Sequence, residues 1–364
     1  MSEATAAHAG DAARRFAIEG EMVRAEPYGS GHIHDTFCVE FARGDVRQRA
    51  IVQRMNEQIF RDLPALMENI ERVTKHVSAK VAGEPDGERR ALRLIPTREG
   101  ATWRRDDAGD AWRAYWKIER ARTVDAVSAP EQAFEAGKAF GRFQELLADL
   151  PAPRLHETIK DFHHTPKRFA ALRRAIAADA AGRAKTADAE IAFALAQEPM
   201  TRVLLEAGLP ERVTHNDTKI NNVMLDDATG EGMCVIDLDT AMPGLAPYDF
   251  GDMVRTATSL TAEDERDLSK VGMEFELYEA LLRGYLSTAG GFLTKAERAL
   301  LAFSGRLITF EIGMRFLTDY LAGDTYFKVH REGHNLDRCR TQFALARSIG
   351  EQEERMNRLA ETLG

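Results

Sequence analysis

The chain lacks any run of about eighteen apolar residues, the length a helix needs to cross a bilayer, so no membrane span and no membrane partner is expected. Cysteine is scarce. Cys38, Cys234 and Cys339 stand far apart, with neither zinc-ligand spacing nor a disulfide framework, which fits a reducing, cytoplasmic setting. The first residues, Met1-Ser-Glu-Ala-Thr-Ala-Ala-His8, lack a charged-then-apolar leader, and export is not expected. Positive charge is also short: 49 Lys and Arg face 58 Asp and Glu, a net charge of −9, which argues against a general nucleic-acid binder. There is no Walker A loop, no complete G-x-G-x-x-G, no internal repeat and no low-complexity linker. What is present is ordinary globular material: 364 residues, 44% apolar and 29% charged, enough for two lobes with cores of their own.

The richest stretch runs from Arg212 to Leu225 and resumes from Met233 to Thr240. Val223-Met-Leu225 and Met233 to Leu238 are apolar runs joined by Asp226-Asp-Ala-Thr-Gly-Glu-Gly232, which is turn chemistry, so they are expected to form a hairpin. Pairing about Thr229 sets Asn222 opposite Asp237, with Asp217 in the polar loop just before. Taken singly, these are residues that favour turns and caps. Taken together, they suit phosphoryl transfer, which asks for positioning and charge neutralisation more than covalent help. Asp217 can accept the proton of a hydroxyl, and the oxygens of Asn222 and Asp237 can hold Mg²⁺.

Around that stretch the pattern divides in two. Residues 1–12 read as loose and Ala13 to Glu19 as a short helix. A strand from Val23 then leads to a tip at Gly29, Ser30 and Gly31, where small residues and free N–H groups can approach a phosphate. Ala50 to Met55 reads as a third strand. Asp62 to Lys80 is a helix, with Leu63, Leu66, Met67, Ile70, Val73 and Val77 on one face. Arg90 to Pro96 and Trp112 to Ile118 read as further strands. After Arg120 the pattern is helical: Gln132 to Leu150, a helix capped by Thr165 ahead of Pro166, an Ala-rich stretch from Ala170 to Glu206 broken near Gly182, and three late helices beginning near Phe275, Lys295 and Asn335. His163 and His164 diverge and have no Cys or carboxylate cluster beside them, so they are not expected to bind metal. Asp249-Phe-Gly251 is expected to cap the next helix or to bond the loop around Asp217.

His215-Asn-Asp217-x-x-x-x-Asn222 followed by Ile236-Asp237 resembles the catalytic core of the aminoglycoside phosphotransferase and choline kinase group. The fuller text, His215 to Asn222, Val235 to Gly244 and Tyr248-Asp-Phe-Gly-Asp252, resembles its N-acetylhexosamine 1-kinase branch, and the likeness runs from about Tyr28 to Phe343. The resemblance implies an α+β, protein-kinase-like fold of two lobes: residues 1–113 around the nucleotide, a hinge at 114–120, and a helical catalytic and substrate lobe at 121–364. It implies ATP and Mg²⁺ as cofactors and phosphorylation of the anomeric hydroxyl of GlcNAc or GalNAc. One of Gln53 and Arg54 would meet the phosphates; Arg54 has the charge for it, and Glu68 is its expected ion-pair partner. Ile118 would lie at the adenine. His32, Asp35, Arg315 and Tyr326 would reach the sugar. The chain departs from the branch at His34, where the branch has Asn. Other readings are a kinase of a different small alcohol (hexose, aminoglycoside, amino alcohol or homoserine) or a nucleotide-binding pseudokinase.

Overall fold

The computed structural model describes residues 5–29 and 33–363. The chain opens with helix α1 (Ala6–Ala13), whose Thr5 hydroxyl accepts the His8 N–H. The helix thus lies earlier than Ala13 to Glu19, in the stretch expected to be loose. Its order is tertiary: Ala9, Ala12 and Ala13 pack with Phe16 and Ile18 against Phe37, Val39, Val52 and Trp112. A single short helix has little stability of its own, but here one face is buried.

Strands β1 (Glu21–Pro27), β2 (Asp35–Arg43) and β3 (Val46–Arg54) follow, then helix α2 (Leu63–Val81) and strands β4 (Trp103–Arg105) and β5 (Ala111–Trp116). They form one antiparallel sheet in the order β1-β2-β3-β5-β4. Asp62 caps α2 by accepting the Ala65 N–H at 3.0 Å. Arg90 to Pro96 is not a strand. It makes an isolated bridge, Leu94 with Tyr115, with bonds from Ile95 N to Ala114 O at 2.8 Å and from Trp116 N to Arg93 O at 2.9 Å. The edge beside β5 belongs to β4 because Asp106 closes a tight hairpin, accepting the N–H groups of Ala108 and Asp110 at 3.0 and 2.9 Å. One face of the sheet carries α1. From the other, Tyr115 joins Leu66, Met67, Ile70 and Val73 of α2 in a shared core.

The second lobe is mostly helical. In order come β6 (Ala121–Arg122), α3 (Pro130–Leu147), α4 (Thr165–Ala178), α5 (Asp188–Ala196), α6 (Val203–Glu206), β7 (Arg212–Thr214), β8 (Val223–Asp226), β9 (Gly232–Val235), β10 (Met242–Gly244), α7 (Ala246–Ala257), α8 (Phe275–Ala289), α9 (Lys295–Ala299), α10 (Leu301–Ala322) and α11 (His334–Leu363). β6, β8 and β9 form one small sheet, and β7 pairs with β10. The Ala-rich stretch is several pieces, because Asp179 takes a left-handed conformation at the end of α4 and Gly182 follows with φ of 66°. The cap of α4 is His164, whose Nδ1 accepts the Lys167 N–H, rather than Thr165, whose hydroxyl donates to Glu311 at 2.5 Å. Among the described residues no helix is long and apolar enough to cross a membrane.

Candidate active site

The loop between β7 and β8 is shaped by residues that never face the cleft. Asn216 adopts φ of 64°, which a short amide side chain tolerates. Its Nδ2 donates to Thr240 O at 2.9 Å. His215 is buried against the rings of Phe140 and Phe143, and its Nε2 donates to Ile236 O at 2.9 Å. Asp249, buried in the first turn of α7, accepts the N–H groups of His215 and Asn216 at 2.9 and 2.7 Å and the Gln144 amide at 2.7 Å. Asp252, one turn on, accepts the Thr218 N–H at 2.9 Å. Of the two roles open to Asp249, the structure selects loop bonding. Burial holds its carboxyl above the ordinary range in spite of these donors.

Held in this way, the loop presents Asp217. Its Oδ2 lies 3.2 Å from Lys219 Nζ and 3.2 Å from Asn222 Nδ2, which also donates to the Asp217 carbonyl at 2.8 Å. With its NH₂ committed there, Asn222 keeps its Oδ1 without a hydrogen bond among the described residues. The hairpin register differs by one from the expected one: Val223 pairs with Val235, and Ile236 N donates to Asn222 O at 2.9 Å, so Ile236 and not Asp237 stands opposite Asn222. A bulge at Met233 takes up the extra residue. Asp237 lies just beyond, at φ of 60°, on a turn that brings it back towards Asp217. Its side chain is open to the solvent of the cleft although protein surrounds it. That setting, with the negative charges of Asp239 and Asp217, pushes its carboxyl up to about 8. A carboxylate crowded by two others is relieved by a cation. Asp237 and the Asn222 Oδ1 are hard oxygen donors of the kind that Mg²⁺ takes, with water completing the shell. Among the described residues no three His, Cys, Asp or Glu side chains gather as a metal site, so an all-acid cage is not what the loop offers.

The sheet lobe meets this turn through a pair that the sequence reading did not single out, Arg113 and Asp239, and through two residues that it did, Gln53 and His34. Arg113 of β5 forks onto Asp239 with two bonds of 2.6 Å, both side chains buried. Gln53 accepts from Arg113 Nε at 2.9 Å, and His34 Nε2 stands 3.3 Å from Asp239 Oδ1. His34 Nδ1 accepts the Asn56 N–H at 3.0 Å, which leaves the proton on Nε2. Arg54 pairs across β2 and β5 with Asp35 and Trp112, on the strand face opposite Gln53. It bonds Asp35 at 2.5 Å and Asp110 at 3.0 Å. Glu68 is not its partner; it reaches His156 at 3.0 Å near the surface. The polar link from α2 is the neighbouring Asn69, buried and bonded to His156 and to the Ala241 carbonyl.

Gly29 has φ of 79° and open space where a Cβ would be; Ser30, Gly31 and His32 lie outside the described residues. Ile118 is buried with Ala121, Met224 and Cys234, against Leu92 and Ile236. Arg315 stands within 6 Å of the rings of Phe162, Tyr326 and Phe327, and Tyr326 is 67% exposed. His163, beside Phe162, joins buried Glu311 at 2.9 Å to the Asn216 carbonyl at 3.4 Å. The structure therefore gathers Asp217, Asn222 and Asp237 at one place and Arg315 with Tyr326 at another, and ties Asp35 to Arg54 rather than leaving it open. Lys219 was legible, two residues after Asp217. Arg113 was not, since its partner lies 126 residues away.

Residues 24–293 match the family model described as the phosphotransferase enzyme family. Among solved structures, the chain resembles a microcompartment-associated aminopropanol kinase at 16% identity and a TM-score of 0.59, covering 96% of this chain and 98% of that one. An aminoglycoside phosphotransferase from Alicyclobacillus acidocaldarius matches at 12% and 0.59, over 97% and 96%. A spectinomycin phosphotransferase, solved with ADP and spectinomycin, matches at 12% and 0.55, over 92% and 94%.

Proposed function

Because this chain belongs to the phosphotransferase enzyme family, we propose that it transfers the terminal phosphoryl group of ATP to the anomeric hydroxyl of an N-acetylhexosamine, GlcNAc or GalNAc, to form the sugar 1-phosphate. The observation that carries this reading is the loop of Asp217, Lys219 and Asn222, pinned from behind by Asp249 and Asp252 and next to Asp237. Residues 1–113 act as the nucleotide lobe, 114–120 as the hinge and 121–364 as the catalytic and substrate lobe. Adenine lies against Ile118 and its apolar neighbours. The tip at Gly29, Ser30 and Gly31 covers the phosphates. A cytoplasmic setting suits an enzyme that draws on ATP and keeps Cys38, Cys234 and Cys339 free.

In this reading Asp217 accepts the proton of the attacking hydroxyl, and the anomeric hydroxyl, more acidic than the others, is a fitting donor. Lys219 follows the charge that develops on the transferred group. Asn222 and Asp237 hold Mg²⁺, which when bound neutralises the phosphate oxygens. His32, Asp35, Arg315 and Tyr326 orient the sugar, with Arg54 fixing Asp35. Arg54 and Glu68 have no direct part in holding phosphate here; Arg113, through Asp239, positions the turn that carries Asp237.

A choice among acceptors follows from the charge expected at the sugar. A cationic amine favours carboxylates, whereas Arg315, one of the residues that the resemblance sets at the sugar, is a cation. That disfavours aminoglycosides and amino alcohols. The test is ADP release over a panel of hexosamines, hexoses, amino alcohols and homoserine, with phosphorus NMR of the product. An α-sugar 1-phosphate supports the reading. A 6-phosphate, or turnover of an amino alcohol alone, overturns the acceptor and leaves the phosphotransferase standing.

A further inference from the structure

His163, buried just ahead of α4, faces two acceptors that are buried with it. Its Nδ1 stands 2.9 Å from Glu311 Oε1 of α10, and its Nε2 stands 3.4 Å from the Asn216 carbonyl. A carbonyl oxygen has no hydrogen to give, so Nε2 donates. Glu311 accepts on both oxygens, because Thr165 donates to Oε2 at 2.5 Å. Burial pushes the Glu311 carboxyl up, but the His163 and Thr165 donors outweigh this and hold it below its usual value, in the ionised form. Both ring nitrogens then carry protons, and the pair is a buried imidazolium and carboxylate. Other charges act on it. Asp252 of α7 favours the second proton but is paired with Arg255 at 2.9 Å; Arg168 of α4 and Arg315 of α10, whose charges act on Glu311, oppose it. The rings of Phe162 and Tyr248, 4.7 and 5.2 Å away, fix the plane of the imidazole.

The Asn216 carbonyl belongs to the peptide that leads into Asp217. The N–H of that same peptide donates to His215 Nδ1 at 3.3 Å. One histidine thus holds each side of it. Asn216 stands at φ of 64°, a region that residues with a Cβ enter reluctantly, so these bonds hold a conformation that the backbone alone does not favour. We propose that His163 is a positioning residue for phosphoryl transfer: as an imidazolium held by Glu311, it donates to the Asn216 carbonyl, fixes the peptide ahead of Asp217 and so aims that carboxylate at the attacking hydroxyl. Loss of the ring proton frees the peptide to turn and carries Asp217 with it. Arg315 lies one turn beyond Glu311 on α10, so the helix expected to meet the acceptor and the loop that presents the base share one buried ion pair. The inference rests on Asp217 as the base and not on which alcohol is the acceptor.

Nitrogen NMR of histidine-labelled protein tests it, with the His163 signals identified by their absence from His163→Gln. At the pH of maximal turnover both ring nitrogens should be protonated in the wild type, and on raising the pH the loss of one proton should coincide with the alkaline limb of kcat. Glu311→Gln keeps the shape and removes the anion. Its ring should carry a single proton at the original optimum, and its alkaline limb should move to lower pH, because the imidazolium has lost the charge that favours it. At the original optimum kcat should fall by roughly tenfold to a hundredfold, the cost of a base displaced by about 1 Å, with the KM for ATP unchanged. A wild-type ring with one proton at its optimum overturns the proposal, and so does a limb that stays in place in Glu311→Gln, because His163 is then structural. Should Glu311→Gln not fold, the wild-type titration decides alone: a ring and a limb that titrate apart overturn the proposal. Turnover of another alcohol with these same shifts upholds His163 and overturns the hexosamine. Wild-type turnover in Asp217→Asn overturns the base and the role of His163 with it, whatever the ring shows.

Discussion

Asp217 and Asp249 belong to one loop system, and solvent separates their roles. Asp217 stays partly open and offers Oδ2 to Lys219 and Asn222, so Asp217→Asn keeps the shape and removes the proposed base. Turnover should fall by roughly 10²–10⁴, while ATP affinity, measured by calorimetry, stays near wild type; near wild-type turnover would remove Asp217 from the role. Asp249 is buried under two backbone N–H groups and an amide. Asp249→Ala orphans three donors at about 1–3 kcal/mol each, so its first effect is a lower melting temperature. Asp237→Ala should do the reverse: little loss of stability and a large loss of Mg²⁺-dependent nucleotide binding. Titration of Mg²⁺-ATP against both variants separates them, and intact metal dependence in Asp237→Ala would reverse the assignment.

At the scale of elements, α3 and α8 meet backbone to backbone. A Cβ at Gly137 would stand 2.3 Å from Leu281 O, and one at Gly284 2.0 Å from Phe134 O. Helix propensity alone favours Gly→Ala by about 1 kcal/mol. Overpacking against a rigid carbonyl costs about 1–3 kcal/mol or more, so packing wins and Gly137→Ala should lower stability in a denaturant melt. A stabilised variant would mean that the two helices part easily. The same helix pair backs the site, because Gln144 of α3 bonds both Asp249 and Tyr285 of α8. The loss at Gly137 should therefore reach kcat as well.

The whole molecule depends on charges joined across long sequence separations. Arg113 and Asp239 tie the sheet lobe to the turn that carries Asp237. Arg113→Met leaves the buried Asp239 carboxylate with only His34 beside it and should cost about 3–5 kcal/mol, whereas Arg113→Met with Asp239→Leu should recover much of that loss in a double-mutant cycle. Additive losses would show that the pair does not interact. Glu297 of α9 is buried and forks onto Arg212 of β7 at 2.6 and 2.8 Å. Burial pushes its carboxyl up, but Arg212 and the Thr294 N–H outweigh this and hold it below its usual value. A depressed folded value stabilises above the unfolded value near 4.5 and fades as pH falls through the folded one. Glu297→Gln should therefore flatten the acid limb of the stability curve below about that pH; an unchanged limb would assign acid unfolding to other carboxylates.

The sequence by itself determined the periodic and the local. The apolar face of α2, the hairpin after Asn222 and the spacing of Asp217, Asn222 and Asp237 were all readable, because period, turn chemistry and spacing are properties of neighbouring residues. The division into a strand-rich and a helical part was readable from the local periods, and the two-lobed α+β class was what the family resemblance implied. Tertiary structure decided the rest. The order of α1 depends on the sheet face it covers. The register at Asp237 depends on a bulge at Met233. The partner of Arg54 was settled by which side of β3 faces the cleft, a choice made by the packing of α1 and α2 on the two sides of the sheet. Arg113 with Asp239, and Arg168 beside Arg315, join positions more than a hundred residues apart. No local pattern encodes such pairs, because the energy that selects them comes from burial, which exists only once the chain is folded.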